Sequence, residues 1–84
     1  MNAKQKKTLA AIFVDPVPAT IPWSSIEGLL VAIGCKVIEG SGARVKFARD
    51  GVVASFRRPH PAPYAKRYQV RDAREYLLKL GVKP

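Results

Sequence analysis

The chain has 84 residues, of which fifteen are Lys or Arg and six are Asp or Glu, giving a formal net charge of +9. That length makes one domain, which buries only about 60% of its unfolded surface and therefore has a small core. It holds no apolar run of about 18 residues to span a membrane, and its N-terminal lysines are not followed by the apolar segment of a signal peptide.

Residues 1–13, MNAKQKKTLAAIF, can form a short helix with Leu9, Ile12 and Phe13 on one side. Residues 14–22 carry Pro16, Pro18 and Pro22, which cannot belong to regular structure. The N-terminal part thus reads as an arm on a stiff extended link. The segment SSIEGLLVAIG then predicts a helix. Ser24 and Glu27 have the spacing of a capping box, Ile26, Leu29, Leu30 and Ile33 make one apolar face, and Gly34 is placed to end it.

CKVIE is a short strand candidate, and ARVKFAR and VVASFRR are stronger ones joined by Asp50-Gly51. That dipeptide favours the type I′ turn of a two-residue hairpin, so the register follows. Phe47 faces Ala54 and Val45 faces Phe56 on an apolar side. Lys46 faces Ser55 and Arg44 faces Arg57 on a basic side. RPHPAPYAKRY, with three prolines, is a loop, and VRDAREYLLKLG is a last helix with Val70, Ala73, Leu77 and Leu80 on one face and Tyr76 beside it. The expected fold is α+β: a three-stranded antiparallel sheet with two helices on its apolar face, its basic face open.

Nine of the fifteen cations lie between Arg44 and Arg74. Such a concentration suits a polyanion, an acidic protein or an anionic membrane surface, beside the plain alternative of a solvated basic surface. Arg44 and Arg57 repel across the strand pair, and a phosphate bound between them relieves this. Lys46 shares their side, and Arg58, Lys66 and Arg67 extend the track. Tyr64 and Tyr68 are interleaved with those cations, placed either to stack on unpaired bases or to pack on the core. His60, between two prolines, is the one side chain that exchanges protons near neutral pH without heavy tuning. It is a candidate general acid or base, with Arg57 and Arg58 holding the phosphate, or else a structural loop histidine. Cys35 has no disulfide partner, which fits a reducing cytoplasm, and it sits in apolar sequence as buried filler. One His, one Cys and scattered acids give no metal cluster, and no Gly-rich phosphate loop is present, so no cofactor is expected.

The succession of a helix, EGSGARVKF, a hairpin, RPHP and a final helix ending LLKLGV resembles the HicA family of toxin–antitoxin toxins, from about Ile21 to Val82. The resemblance divides the chain into an arm, 1–20, and a HicA-like domain, 21–84. It implies an α-β-β-β-α fold like a double-stranded-RNA-binding domain, metal-independent mRNA cleavage, and a HicB-like antitoxin that covers the active surface. The family's Gly-Ser-His motif is not kept. Aligned on VKF, the chain has Gly42-Ala43-Arg44; aligned on Gly40-Ser41, Gly42 stands at the histidine position. Arginine does not act as a base at physiological pH, so catalysis would fall to His60. Three functions stay open: a HicA-like ribonuclease, a non-catalytic member that binds RNA or its antitoxin, and a general nucleic-acid-binding module.

Overall fold

The computed structural model describes all 84 residues. Its elements are α1 (Ala3–Ile12), α2 (Trp23–Ala32), β1 (Lys36–Glu39), β2 (Arg44–Arg49), β3 (Val52–Arg57) and α3 (Arg67–Lys79). The strands form one antiparallel sheet in the order β1-β2-β3, so the expected α+β class and meander are present. No helix is long and apolar enough to cross a membrane.

The hairpin has the register set by its turn. Asp50 (φ 52°) and Gly51 (φ 78°) both take the left-handed conformation that a type I′ turn requires. Arg44 lies opposite Arg57, Val45 opposite Phe56, Lys46 opposite Ser55 and Phe47 opposite Ala54. Alternation sends Val45, Phe47 and Phe56 inward, where all three are buried. Trp23 from α2 joins them, its ring 5.2 Å from Phe56 and 6.4 Å from Phe47, and Phe47 and Phe56 meet edge to face at 5.9 Å. Leu29 and Leu30 of α2 and Val70, Ala73 and Leu77 of α3 complete this core with no exposed surface at all.

Two expectations are corrected. The first concerns the arm. There are three helices, and α1 packs against both α2 and α3. Leu9 and Ile12 are buried, as are Val17 and Ile21 in the proline-rich link, so residues 1–20 belong to the same core as the rest. Two arginines of α3 hold them there. Arg74 donates to the carbonyl oxygens of Ile12 (3.0 Å) and Val14 (2.9 Å) and pairs with Asp15 (3.0 Å), and so satisfies groups left open at the end of α1. Arg67 donates from Nε to Val17 O at 3.3 Å.

The second correction concerns the start of α2. Ser24 is not its cap; Pro22 is, and no side chain caps the helix. The amide of Trp23 donates instead to Pro63 O, 2.9 Å away in the loop before α3, and Ala65 N donates back to Ile21 O at 2.8 Å. That tertiary pairing satisfies the helix start and frees the Glu27 carboxylate for other partners. The C-terminal ends of α2 and α3 are at Gly34 and Gly81, as expected, both with positive φ.

Candidate nucleic-acid interface

The outward residues of the sheet follow from its register. Counting outward by alternation gives three cross-strand rows: Lys36, Ala48 and Val53; Ile38, Lys46 and Ser55; and Arg44 with Arg57. No helix covers this side. Ile38 and Val53 keep 41% and 56% of their surface exposed, which marks an open face. Its charged residues are Lys36, Arg44, Lys46 and Arg57, all exposed. Glu39, the one acid on the strands, stands opposite Val45 and so belongs to the other side.

None of those four cations takes part in an ion pair. Arg44 and Arg57 form the closer kind of antiparallel pair. Arg58 N donates to Ala43 O at 2.9 Å, which makes 43 and 58 the bonded pair and leaves 44 and 57 unbonded, with Cα atoms about 4.5 Å apart. Two guanidinium stems therefore leave the sheet side by side, with no carboxylate in ion-pair range of either.

A cavity of about 300 Å³ opens at this end of the sheet, where β3 meets the N-terminal half of α3. Arg44, Lys46, Ser55 and Arg57 line it from the sheet, and Tyr68 and Asp72 line it from the helix. Gln69 locks the two elements together. Its side chain donates to Arg57 O at 2.6 Å and accepts from Lys66 N at 3.0 Å, and the residue is buried.

The remaining expected site residues lie elsewhere. Arg58 does not extend the cationic track. It pairs with Glu27 (2.9 Å) and makes two hydrogen bonds to Glu39 (2.6 and 2.9 Å), while Trp23 Nε1 donates to the same Glu27 at 2.8 Å. The Glu39 and Glu27 carboxylates raise the Arg58 pKa still further, and hydrogen bonding from Arg58 lowers that of Glu39. Lys66 and Arg67 are exposed at the start of α3, outside the cavity, as is His60 in the loop that follows β3. The structure thus brings Arg44, Lys46 and Arg57 together, and it does not bring His60 to them. Tyr64 and Tyr68 are both about half exposed, and of the two only Tyr68 faces the cavity. Lys36, Gln69 and Asp72 are additions. The register of β1 would have put Lys36 on the open face. The spacing of Tyr68 and Asp72, one helical turn apart, would have paired them once the helix start was fixed.

Cys35 is buried, its Sγ 3.7 Å from Tyr76 Oη, as expected of core filler. No group of three or more His, Cys, Asp or Glu gathers to hold a metal ion. Comparison with protein-family models, with curated proteins and with solved structures finds no match for this chain. The open face and its cavity therefore carry the functional reading.

Proposed function

We propose that the chain binds RNA through the open face of its sheet, with Arg44 and Arg57 sharing one phosphate and Lys36 and Lys46 holding others. The observation that carries this is the sorting of charge. The acids that pair do so with Arg49, Arg58 and Arg74, away from the open face, and the face itself keeps four unpaired cations. A folded protein gains nothing from setting Arg44 beside Arg57; a bound phosphate turns that repulsion into two attractions. Exposed Ile38, Val53 and Tyr68 add apolar and aromatic surface against which unpaired bases stack.

The resemblance to HicA toxins supports RNA over DNA as the polyanion and implies a double-stranded-RNA-binding-domain-like arrangement of the sheet and helices. It also suggests a protein partner, a HicB-like antitoxin that would cover the same cations. Hydrolysis is the part of that resemblance with least support from geometry, because His60 stands outside the cavity that holds Arg44 and Arg57.

The test is titration of a fluorescent single-stranded RNA at several salt concentrations. Three phosphates on a single strand, one of them shared by Arg44 and Arg57, give a slope of about −2 in log K against log salt. Replacing Lys36, Arg44, Lys46 and Arg57 together by Gln should abolish binding, while replacing Lys4, Lys6 and Lys7 of α1 should leave it nearly intact. Equal losses in both variants would reduce the interaction to net charge and refute the reading. Incubating RNA with the intact protein and with His60→Ala tests hydrolysis. Cleavage by the first alone assigns His60 a proton-transfer role, and intact RNA in both restricts the site to binding.

A further inference from the structure

Asp72 is out of place in a phosphate site. It lines the cavity with Arg44 and Arg57, yet it takes part in no ion pair, so its carboxylate is not there to neutralise them. Near a bound phosphate it is repulsive, which weakens any purely electrostatic role for the cavity. The Asp72 carboxylate is exposed and unpaired, and so available to a ligand. It offers two acceptor oxygens side by side and no donor.

Tyr68 is four residues before Asp72 on α3, so the two side chains are neighbours on one face of the helix. Its ring is half exposed and lines the same cavity. The cavity is thus walled by a stacking surface and a double acceptor on the helix side and by a pair of arginines on the sheet side. At about 300 Å³ it lies at the small end of ligand pockets, the size for a single base and not for a duplex.

We propose that this cavity holds one unpaired guanine, stacked on Tyr68 and read by Asp72, with its phosphate on Arg44 and Arg57. Guanine alone among the four bases carries two adjacent N–H donors, N1–H and the N2 amine, on its pairing edge. A carboxylate accepts both at once. Adenine and cytosine present a donor beside an acceptor, and uracil a single donor flanked by acceptors, so each sets an acceptor against a carboxylate oxygen. The inference rests on the RNA-binding reading above and adds a base preference to it.

The experiment compares short oligouridylates that carry one central guanosine, inosine, adenosine or cytidine. The guanosine strand should bind about tenfold tighter than the adenosine and cytidine strands. Inosine, which lacks the N2 amine, should fall between them. Asp72→Asn, with one acceptor and one donor, should erase the guanosine preference and leave adenosine binding unchanged or improved. Tyr68→Phe should keep the preference, and Arg57→Gln should weaken every strand by a similar factor. If all strands bind equally and Asp72→Asn strengthens all of them alike, Asp72 merely repels phosphate; the guanine site is then wrong and the phosphate-binding face stands. If no strand binds, both readings fall.

Discussion

Replacing Arg44 by Gln should make the protein more stable and its RNA binding weaker. Arg44 and Arg57 are directly opposite in an unbonded pair, both exposed, and neither has a counter-ion. Two unit charges about 6 Å apart in water repel by about 0.7 kcal/mol, within the range of about 0.2–1 kcal/mol for cross-strand pairs. Removing one of them should raise stability by about 0.5 kcal/mol, or about 2–4 °C in Tm for a domain of this length. The gain should vanish in about 1 M salt, where the screening length is about 3 Å. On the binding side, the loss of one of the two cations on the shared phosphate should lower the slope of log K against log salt by as much as about 0.7. Arg44→Lys keeps the charge and should keep the slope. Thermal unfolding at low and high salt, with anisotropy titrations of the same preparations, measures both effects. A destabilised Arg44→Gln, or a stability gain that survives high salt, would mean that the two arginines do not face each other across an open surface. An unchanged slope would take Arg44 out of the phosphate contacts.

The core makes its own predictions. Leu9→Ala should cost about 2–5 kcal/mol, because Leu9 is 2% exposed and its helix is part of the core; urea unfolding would show it, and a cost below about 0.5 kcal/mol would return residues 1–20 to the status of an arm. Glu27→Gln should cost about 1.5–3 kcal/mol by the same assay, since it removes the charge shared by Trp23 Nε1 and Arg58. The Glu39 carboxyl is held below its ordinary 4.5 by Arg58, so its contribution is present above that value and is lost as pH falls through the lower folded one; Arg58→Met should flatten this part of an acid titration. Tyr76 behaves in the opposite sense. Burial first, and then its contact with Cys35, push its hydroxyl from 10 to about 12, so its contribution is complete below 10 and disappears as pH climbs to about 12. Tyr76→Phe should lose less stability across that window, in urea midpoints taken at its two ends.

How far the site was legible in the sequence depended on which residues spoke for themselves. The hairpin did, because Asp50-Gly51 admits one turn and the alternation of RVKFAR against VVASFR admits one register. Arg44, Lys46 and Arg57 came with it. The helix of residues 1–13 showed an apolar face in Leu9 and Ile12, but nothing local says what such a face meets. It packs against α2 and α3, and Arg74, far along the chain, fixes the end of the helix through Ile12 O. Ser24 and Glu27 had the spacing of a cap, and a distant carbonyl at Pro63 made that cap unnecessary. The helix start at Lys66 has no Ser, Thr, Asp or Asn to mark it, only Gln69 reaching back to the Lys66 amide, so the sequence alone leaves Tyr68 in the loop and hides its pairing with Asp72.

The direction of Arg58 is legible in the strand alternation alone. Neighbours on an extended strand point to opposite sides, and Arg57 already points outward. Arg58, next in line, is therefore directed towards the helices, where Glu27 and Glu39 receive it. Two consecutive arginines at the end of a strand cannot grip one phosphate as a fork. The partner of Arg57 is the residue across the ladder, Arg44, so an anion placed between those two would lie over the sheet and not at the loop that carries His60. That separation assigns the proposed phosphate contacts to the sheet, and it leaves any proton transfer by His60 to be tested by cleavage itself.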